Sequence, residues 1–198
     1  MKKSAAVFGC VALVSMFLSG CHTGKTTTTV RGTVEMALIA ESTDRAIAGL
    51  APIDTLPRKA FFDDSLFAAT DKEYVISSLK LDLLTKGVAL LPKADDADVV
   101  VHPRAAISAI DDSSFLIGIP SIPLPIPGAG VLGTPELAIF KRAKQIGRAK
   151  LGTYGVDAKT NKLVFDTGLN SAKAYYTRWV LFQFITWRTT DIEDPYKN

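Results

Sequence analysis

Residues 70–102 read TDKEYVISSLKLDLLTKGVALLPKADDADVVVH, and this stretch decides the fold class. Its first half repeats as a helix does. Val75, Ile76, Leu79, Leu83 and Leu84 fall on one side of a cylinder with 3.6 residues per turn. Thr70 and Glu73 have the spacing of a capping box, and Asp71 suits the positive N-terminal end of a helix. Gly87, following Lys86, is a C-terminal stop. The second half changes period. Val88-Ala89-Leu90-Leu91 is a short apolar run closed by Pro92, residues 93–97 make a polar turn, and Asp98-Val99-Val100-Val101-His102 is a β-branched strand.

Upstream, residues 30–50 carry a second helical pattern. Val30, Val34, Ala37, Leu38, Glu41, Arg45 and Ala48 step round the cylinder, and Met36, Ile39, Ala46 and Ile47 broaden its apolar face. Gly49 and Pro52 end it. Lys59-Ala60-Phe61-Phe62 is a strand that stops at Asp63-Asp64. Downstream, residues 104–110 continue the valine strand past Pro103, which calls for an edge position or a bulge. Residues 144–156 and 162–166 form a hairpin through the turn chemistry of Asp157 to Asn161. Residues 172–189 read as one long β-branched and aromatic run. Its large apolar groups fall on both alternating faces, so neither face is expected to be wet. Residues 191–198 are a polar tail. The order helix, strand, helix, strand, strand predicts a single α/β (α+β) domain over residues 30–190. Its sheet is mixed and largely antiparallel, with at least two helices packed on it.

One segment fits neither period. Between Phe115 and Leu137 stand Pro120, Pro123, Pro125, Pro127 and Pro135, interleaved with Ile119, Ile122, Leu124 and Ile126 and followed by Gly128, Gly130 and Gly133. Prolines at this spacing favour extended backbone and remove ladder donors, so neither a helix nor a regular strand is expected. A stretch this apolar is not a free linker. Either it is a rigid lid laid over the core, or Ile119, Ile122, Leu124 and Ile126 form an exposed patch that meets a partner protein or a bilayer.

The N-terminus has the form of an export signal. Lys2 and Lys3 supply positive charge, and residues 5–17 are an apolar run too short to span a bilayer comfortably. Leu18-Ser19-Gly20-Cys21 matches the bacterial lipobox, so residues 1–20 are expected to be removed and Cys21 to be lipidated. Stable anchoring needs more than one acyl chain, which a diacylglycerol plus an N-acyl group such as palmitate provides. Residues 21–29 then serve as the lipidated Cys and a polar, Thr-rich tether. His22 stands where, in enteric bacteria, an Asp resembles an inner-membrane retention signal, so the outer membrane facing the periplasm is the expected location. Cys10 leaves with the signal and Cys21 is alkylated, so the mature chain has no disulfide and must rest on its core.

Catalytic chemistry is sparse. The formal net charge of +3 falls to about +1 once Lys2 and Lys3 are gone, which argues against a nucleic-acid partner. His102 is the one histidine beyond His22, so a structural zinc site is excluded. Asp63-Asp64, Asp95-Asp96-Asp98 and Asp111-Asp112 lack the spacing of a calcium loop and sit at turns. Neither a nucleophile elbow nor a dinucleotide fingerprint occurs, and Gly24-Lys25-Thr26 lacks the upstream glycine of a phosphate loop. No catalytic residue, metal or cofactor is expected. Lys141, Arg142, Lys144, Arg148 and Lys150 read as a solvated face.

Four stretches carry a resemblance: Asp71 through Leu79, Ala97-Asp98-Val99-Val100-Val101, Gly118 through Pro127, and Thr134-Pro135-Glu136-Leu137-Ala138. Together they resemble an uncharacterised family of bacterial lipoproteins, a domain of unknown function, over residues 30–167. The pattern of elements is more distantly similar to curli-secretion and TolB-amino-terminal-like periplasmic lipoproteins. The resemblance implies no assigned activity, and fold analogy supplies none. The leading expectation is a non-enzymatic assembly, scaffold or interaction component of the cell envelope. Its partners are the bilayer, through acylated Cys21, and another envelope protein or a second copy. An oligomeric secretion or pore component is the alternative, and an envelope enzyme the third.

Overall fold

Gly49 and Gly87 close the two helices. Helix α1 (Thr33–Ala48) ends at Gly49, whose N–H bonds back to Arg45 O at 3.2 Å. Helix α2 (Lys72–Thr85) is followed by Gly87 at φ +90°, a left-handed conformation that a side chain would strain. The structure is a computed structural model and describes residues 31–53, 57–126 and 130–193; Ile126 and residues 130–132 are described by backbone alone. The expected signal, Cys21 and tether lie outside the described residues.

The start of α2 departs from expectation. No side chain caps it, and Asp71 precedes it at φ 54°, ψ 47°. The capping box does not form because the Thr70 hydroxyl is engaged elsewhere and Asp71, not Thr70, stands at the cap position. The Thr70 hydroxyl donates to Ser108 O at 2.7 Å, the Ser108 hydroxyl donates to Thr70 O at 3.1 Å, and the Asp71 carboxylate pairs with Arg31. The inward face of α2 is Val75, Ile76, Leu79 and Leu83; Leu84, expected there, points outward and is 50% exposed.

Seven strands form one open sheet: β1 (Lys59–Phe62), β2 (Ala89–Leu91), β3 (Val99–Ile119), β6 (Leu137–Asp157), β7 (Leu163–Asp166), β8 (Asn170–Leu181) and β9 (Ile185–Thr190). β4 (Pro123–Ile126) and β5 (Gly130–Gly133) make a separate two-stranded finger between β3 and β6. The order across the main sheet is β2-β1-β3-β6-β8-β9, with β7 also paired to β6. β1 runs parallel to β2 and β3, and every other pairing is antiparallel. Among the described residues the fold is therefore the mixed, largely antiparallel α/β sheet that the sequence predicts, with two α-helices where at least two are expected.

Two expectations about strands are overturned. Residues 115–119 are strand, the end of β3, with a break in register between Ile117 and Gly118, and residues 123–126 are β4. The prolines fit because alternate sites of an antiparallel pair need no inward donor. Residues 172–189 are not one strand but the β8–β9 hairpin, turning at Phe182 (φ 45°) and Gln183 (φ 67°). Gln183 holds that turn against the start of β6: its Oε1 accepts from Ala138 N–H at 2.8 Å and its Nε2 donates to Glu136 O at 3.0 Å.

Both helices pack on one face of the sheet. The main core joins Ala46, Ile47 and Leu50 to Val75, Leu79 and Leu83 over Val99, Val101, Ala149 and Leu151. A smaller cluster joins Val34 and Leu38 of α1 to Ala174 and Tyr176. Gly147 admits this contact, since a Cβ there would lie 2.4 Å from Leu38 O. β1 stops at Phe62, opposite Val101, so Pro103 stands on an edge, and a bulge follows between Ala105 and Ile107.

Candidate interaction surface

Helix α1 lies antiparallel to β8. Asn170 Nδ2 donates to Ala46 O at 2.9 Å near one end, and Val34 packs with Tyr176 near the other. β8 runs on to Leu181, so the sheet outruns its helical cover. β3, β6, β8 and β9 form this uncovered blade, and direct pairing fixes which side chains share a face.

On the face away from the helices, the rows are read across the four strands. Ser113, Lys144, Thr177 and Thr189 share a row; Phe115, Arg142, Trp179 and Trp187 form the next; Ile117, Phe140, Leu181 and Ile185 the one after. Aromatic contacts bind these rows together. Phe115 and Phe140 meet edge to face at 6.3 Å, Phe140 and Trp179 lie 5.9 Å apart, and Trp179 stacks on Trp187 at 6.0 Å and 6°. Trp179 Nε1 donates to Thr189 Oγ1 at 3.0 Å, so its polar edge is satisfied. On the helix-side face the alternating rows are mixed: Asp112, Gln145, Tyr176 and Thr190, then Ser114, Ala143, Arg178 and Arg188, then Leu116, Lys141, Val180 and Thr186.

Beyond these rows the chain is almost uncharged. Residues 116–140 contain a single ionisable residue, Glu136, and residues 180–187 contain none. Glu136 is neutralised by Lys141, whose ammonium lies 2.7 and 2.8 Å from its two carboxylate oxygens. The apolar side chains here are exposed. Ile119, Ile122 and Leu124 are about half exposed and belong to neither core cluster, so they do not form a lid. Ile126 stands opposite Gly130 in the finger. Phe115, Ile117, Leu137 and Ile139 are equally open, and Phe184, at the β8–β9 turn, is 84% exposed. A monomeric soluble protein seldom gathers this much apolar surface at one end.

The finger explains the proline spacing. Thr134 N–H donates to Ile122 O at 3.0 Å, so residue 122 faces its partner strand, and residues 124 and 126 do the same by alternation. Pro123 and Pro125 then occupy sites whose N–H would point outward.

The other sequence candidates are engaged singly. His102 stacks on Tyr154 at 5.0 Å, with Nδ1 3.6 Å from Asp63 Oδ2. Hydrogen bonds from Ser65 hold the Asp63 carboxyl below the ordinary carboxylate range. Asp64 meets Lys80 at 3.3 Å and Asp111 pairs with Arg148. Among the described residues, no three His, Cys, Asp or Glu side chains converge on a point. The basic run of β6 divides by alternation: Arg142, Lys144, Arg148 and Lys150 share the open face, with Lys144 5.6 Å over the Tyr175 ring, and Lys141 lies on the other. Sequence reading found the isoleucines and leucines of the finger but missed Phe115, Phe140, Trp179 and Trp187, whose association depends on strand register.

No curated protein matches the chain. The profile of a family of unknown function, DUF6655, matches residues 16–187, which takes in both helices and the sheet as far as Trp187 in β9. The chain belongs to that family of unknown function, DUF6655.

Proposed function

We propose that this protein is a lipoprotein of the cell envelope, anchored through acylated Cys21 at the outer membrane facing the periplasm, that works as a non-enzymatic interaction component. Its working surface is the uncovered end of the blade. The observation that supports the reading is the concentration of exposed Ile, Leu, Phe and Trp side chains at that end, beside a chain that is nearly free of charge. Charged groups elsewhere meet opposite charges, Arg45 with Glu41 and Asp191, Lys80 with Asp64, and Lys86 with Asp82.

Two measurements test this. Fatty-acid labelling of cells is expected to mark the wild-type protein and to leave Cys21→Ser unmarked; equal labelling of both defeats the anchor. Cross-linking in intact membranes is expected to lose its adducts when Ile119, Ile122 and Leu124 are all replaced by Ser, with the melting temperature kept. An unaltered pattern of adducts defeats the surface.

A second reading, self-association into a secretion or pore assembly, is favoured by the two free edges of the blade. Among the described residues, β3 pairs with no strand on its outer side past the end of β1, although Thr70 bonds Ser108 there, and β9 closes the other flank. β3 and β9 run in opposite directions, so the edge of one copy meets the edge of the next as an antiparallel ladder. An Asp112→Cys, Arg188→Cys double variant forms disulfide-linked oligomers on oxidation if this holds and stays monomeric if it does not.

A further inference from the structure

The lipid reading of Cys21 and the geometry of the blade point the same way. Because α1 runs antiparallel to β8, Thr33 lies toward the end of the sheet that carries the apolar surface. Eleven residues separate Cys21 from Thr33, a contour of up to roughly 40 Å. From the level of Tyr176 to Leu181, the end of β8, is only about 17 Å. The first helix therefore begins on the same side as the apolar end, and the sequence length from Cys21 to Thr33 exceeds the distance from there to the tip of β8.

The blade is also graded along its length. Arg142 with Trp179 and Trp187 on one face, and Arg178 with Arg188 on the other, stand at one level, and all three arginines are exposed. Above this belt the sole charges are Glu136 and Lys141, which neutralise each other. Arginine pairs well with phosphate, and tryptophan favours the boundary between headgroups and hydrocarbon. From the belt to Ile119 the strand rises four residues, about 13 Å, against about 15 Å for the hydrocarbon of one leaflet. Open edges bar a full crossing, since only helices and closed barrels satisfy their backbone in hydrocarbon. Prolines at 123 and 125 reduce the outward donors of the finger at this end.

We infer that the apolar end of the blade is seated in the leaflet that holds the acyl anchor, with Trp179, Trp187, Arg142, Arg178 and Arg188 at the level of the phospholipid phosphates. This inference rests on the lipoprotein reading above and names the bilayer as the occupant of the surface. A second copy or a protein partner is the competing occupant.

The two tryptophans are the only ones in the chain, so their fluorescence reads the belt directly. The lipidated full-length protein is reconstituted into vesicles of phosphatidylethanolamine and phosphatidylglycerol, some carrying bromine near the headgroup and some near the chain end. The expected result is a blue shift of the emission, strong quenching by the shallow bromines, weaker quenching by the deep ones, and loss of quenching by aqueous acrylamide. An Arg142→Glu, Arg178→Glu variant is expected to stay anchored and to lose the blue shift. Emission that stays at the aqueous position while the protein floats with the vesicles overturns the insertion and leaves the anchor intact. A blue shift without bromine quenching overturns it in favour of a second copy. Cross-links from a photoreactive group at position 184 to a protein rather than to lipid, in native membranes, overturn it in favour of a protein partner. Protein that fails to float at all defeats the anchor and the insertion together.

Discussion

Leu83 and Leu84 are neighbours on α2, and the same substitution at each isolates burial from everything else. Leu83 is 1% exposed among the side chains of the main core, whereas Leu84 is 50% exposed. Replacing either by Ala changes helix propensity by the same small amount and changes the unfolded chain alike, so those effects cancel between the two variants. What remains is the transfer of the side chain and the cavity it leaves. For Leu83 both apply, and truncation of a buried leucine costs about 2–5 kcal/mol. For Leu84 no cavity forms, and removing a half-exposed side chain forfeits at most about half of the ~1.5–3 kcal/mol that full burial is worth. With no cysteine among the described residues, the Leu83 loss is a large share of the ~5–15 kcal/mol that holds a typical domain. At roughly 2–4 °C per kcal/mol for a domain of this size, the Leu83→Ala midpoint falls by about 6–12 °C for a 3 kcal/mol loss. Parallel urea and thermal melts of the two variants provide the assay. A difference between them below about 0.5 kcal/mol would refute the orientation of α2 on the sheet.

Three other substitutions probe the packing and its charges. Gly147→Ala places a methyl group 2.4 Å from Leu38 O, so α1 must shift from the sheet, at a cost of about 1–3 kcal/mol in a denaturant melt. Thr43 is fully buried and its Oγ1 has no hydrogen-bond partner, so Thr43→Val is expected to raise stability by about 1 kcal/mol, read as a higher urea midpoint. Burial opposes ionisation of Asp191, but the Tyr175 N–H at 2.7 Å and the Arg45 guanidinium at 2.6 Å outweigh it and hold its carboxyl below the ordinary value. Its stabilising contribution is therefore complete above the unfolded carboxylate range, near pH 4, and is lost as pH falls through the lower folded value. Urea midpoints measured on acidification are expected to fall less steeply for Asp191→Asn, which begins from a lower midpoint at neutral pH.

What could be read from the sequence was what neighbouring residues decide among themselves. β1 ends at Phe62, where Asp63-Asp64 follows, and α1 and α2 stop at their glycines. The capping-box spacing at Thr70 does not cap α2 because its hydroxyl bonds Ser108, a partner 38 residues away that no local pattern announces. The β8–β9 turn was hidden because Phe182 and Gln183 are not turn residues by propensity; a side chain that bonds the start of β6 holds them at positive φ. The site was half legible. Ile119, Ile122, Leu124 and Ile126 announced themselves through the prolines between them. Trp179 and Trp187 lie eight residues apart inside what read as one strand, and only the hairpin register stacks them.

The edges of the blade separate the two readings of its function. Pairing between copies needs outward N–H groups on a free strand, and membrane seating is hindered by the same groups. β4 has prolines at both of its outward sites, so it is poorly made for pairing and better made for an apolar surrounding. β3 below it differs. From Arg104 to Ile119 its outer edge contains no proline, and its acidic Asp112 stands on the same face as Arg188 of β9 on the opposite flank. Self-association thus draws on residues at and below the level of the arginine belt, and seating in the leaflet draws on residues at and above it. Restoring a donor with Pro123→Val and Pro125→Val should therefore weaken association of the apolar end with vesicles and leave edge-to-edge disulfide formation between residues 112 and 188 unchanged. If both properties change together, the two surfaces are one.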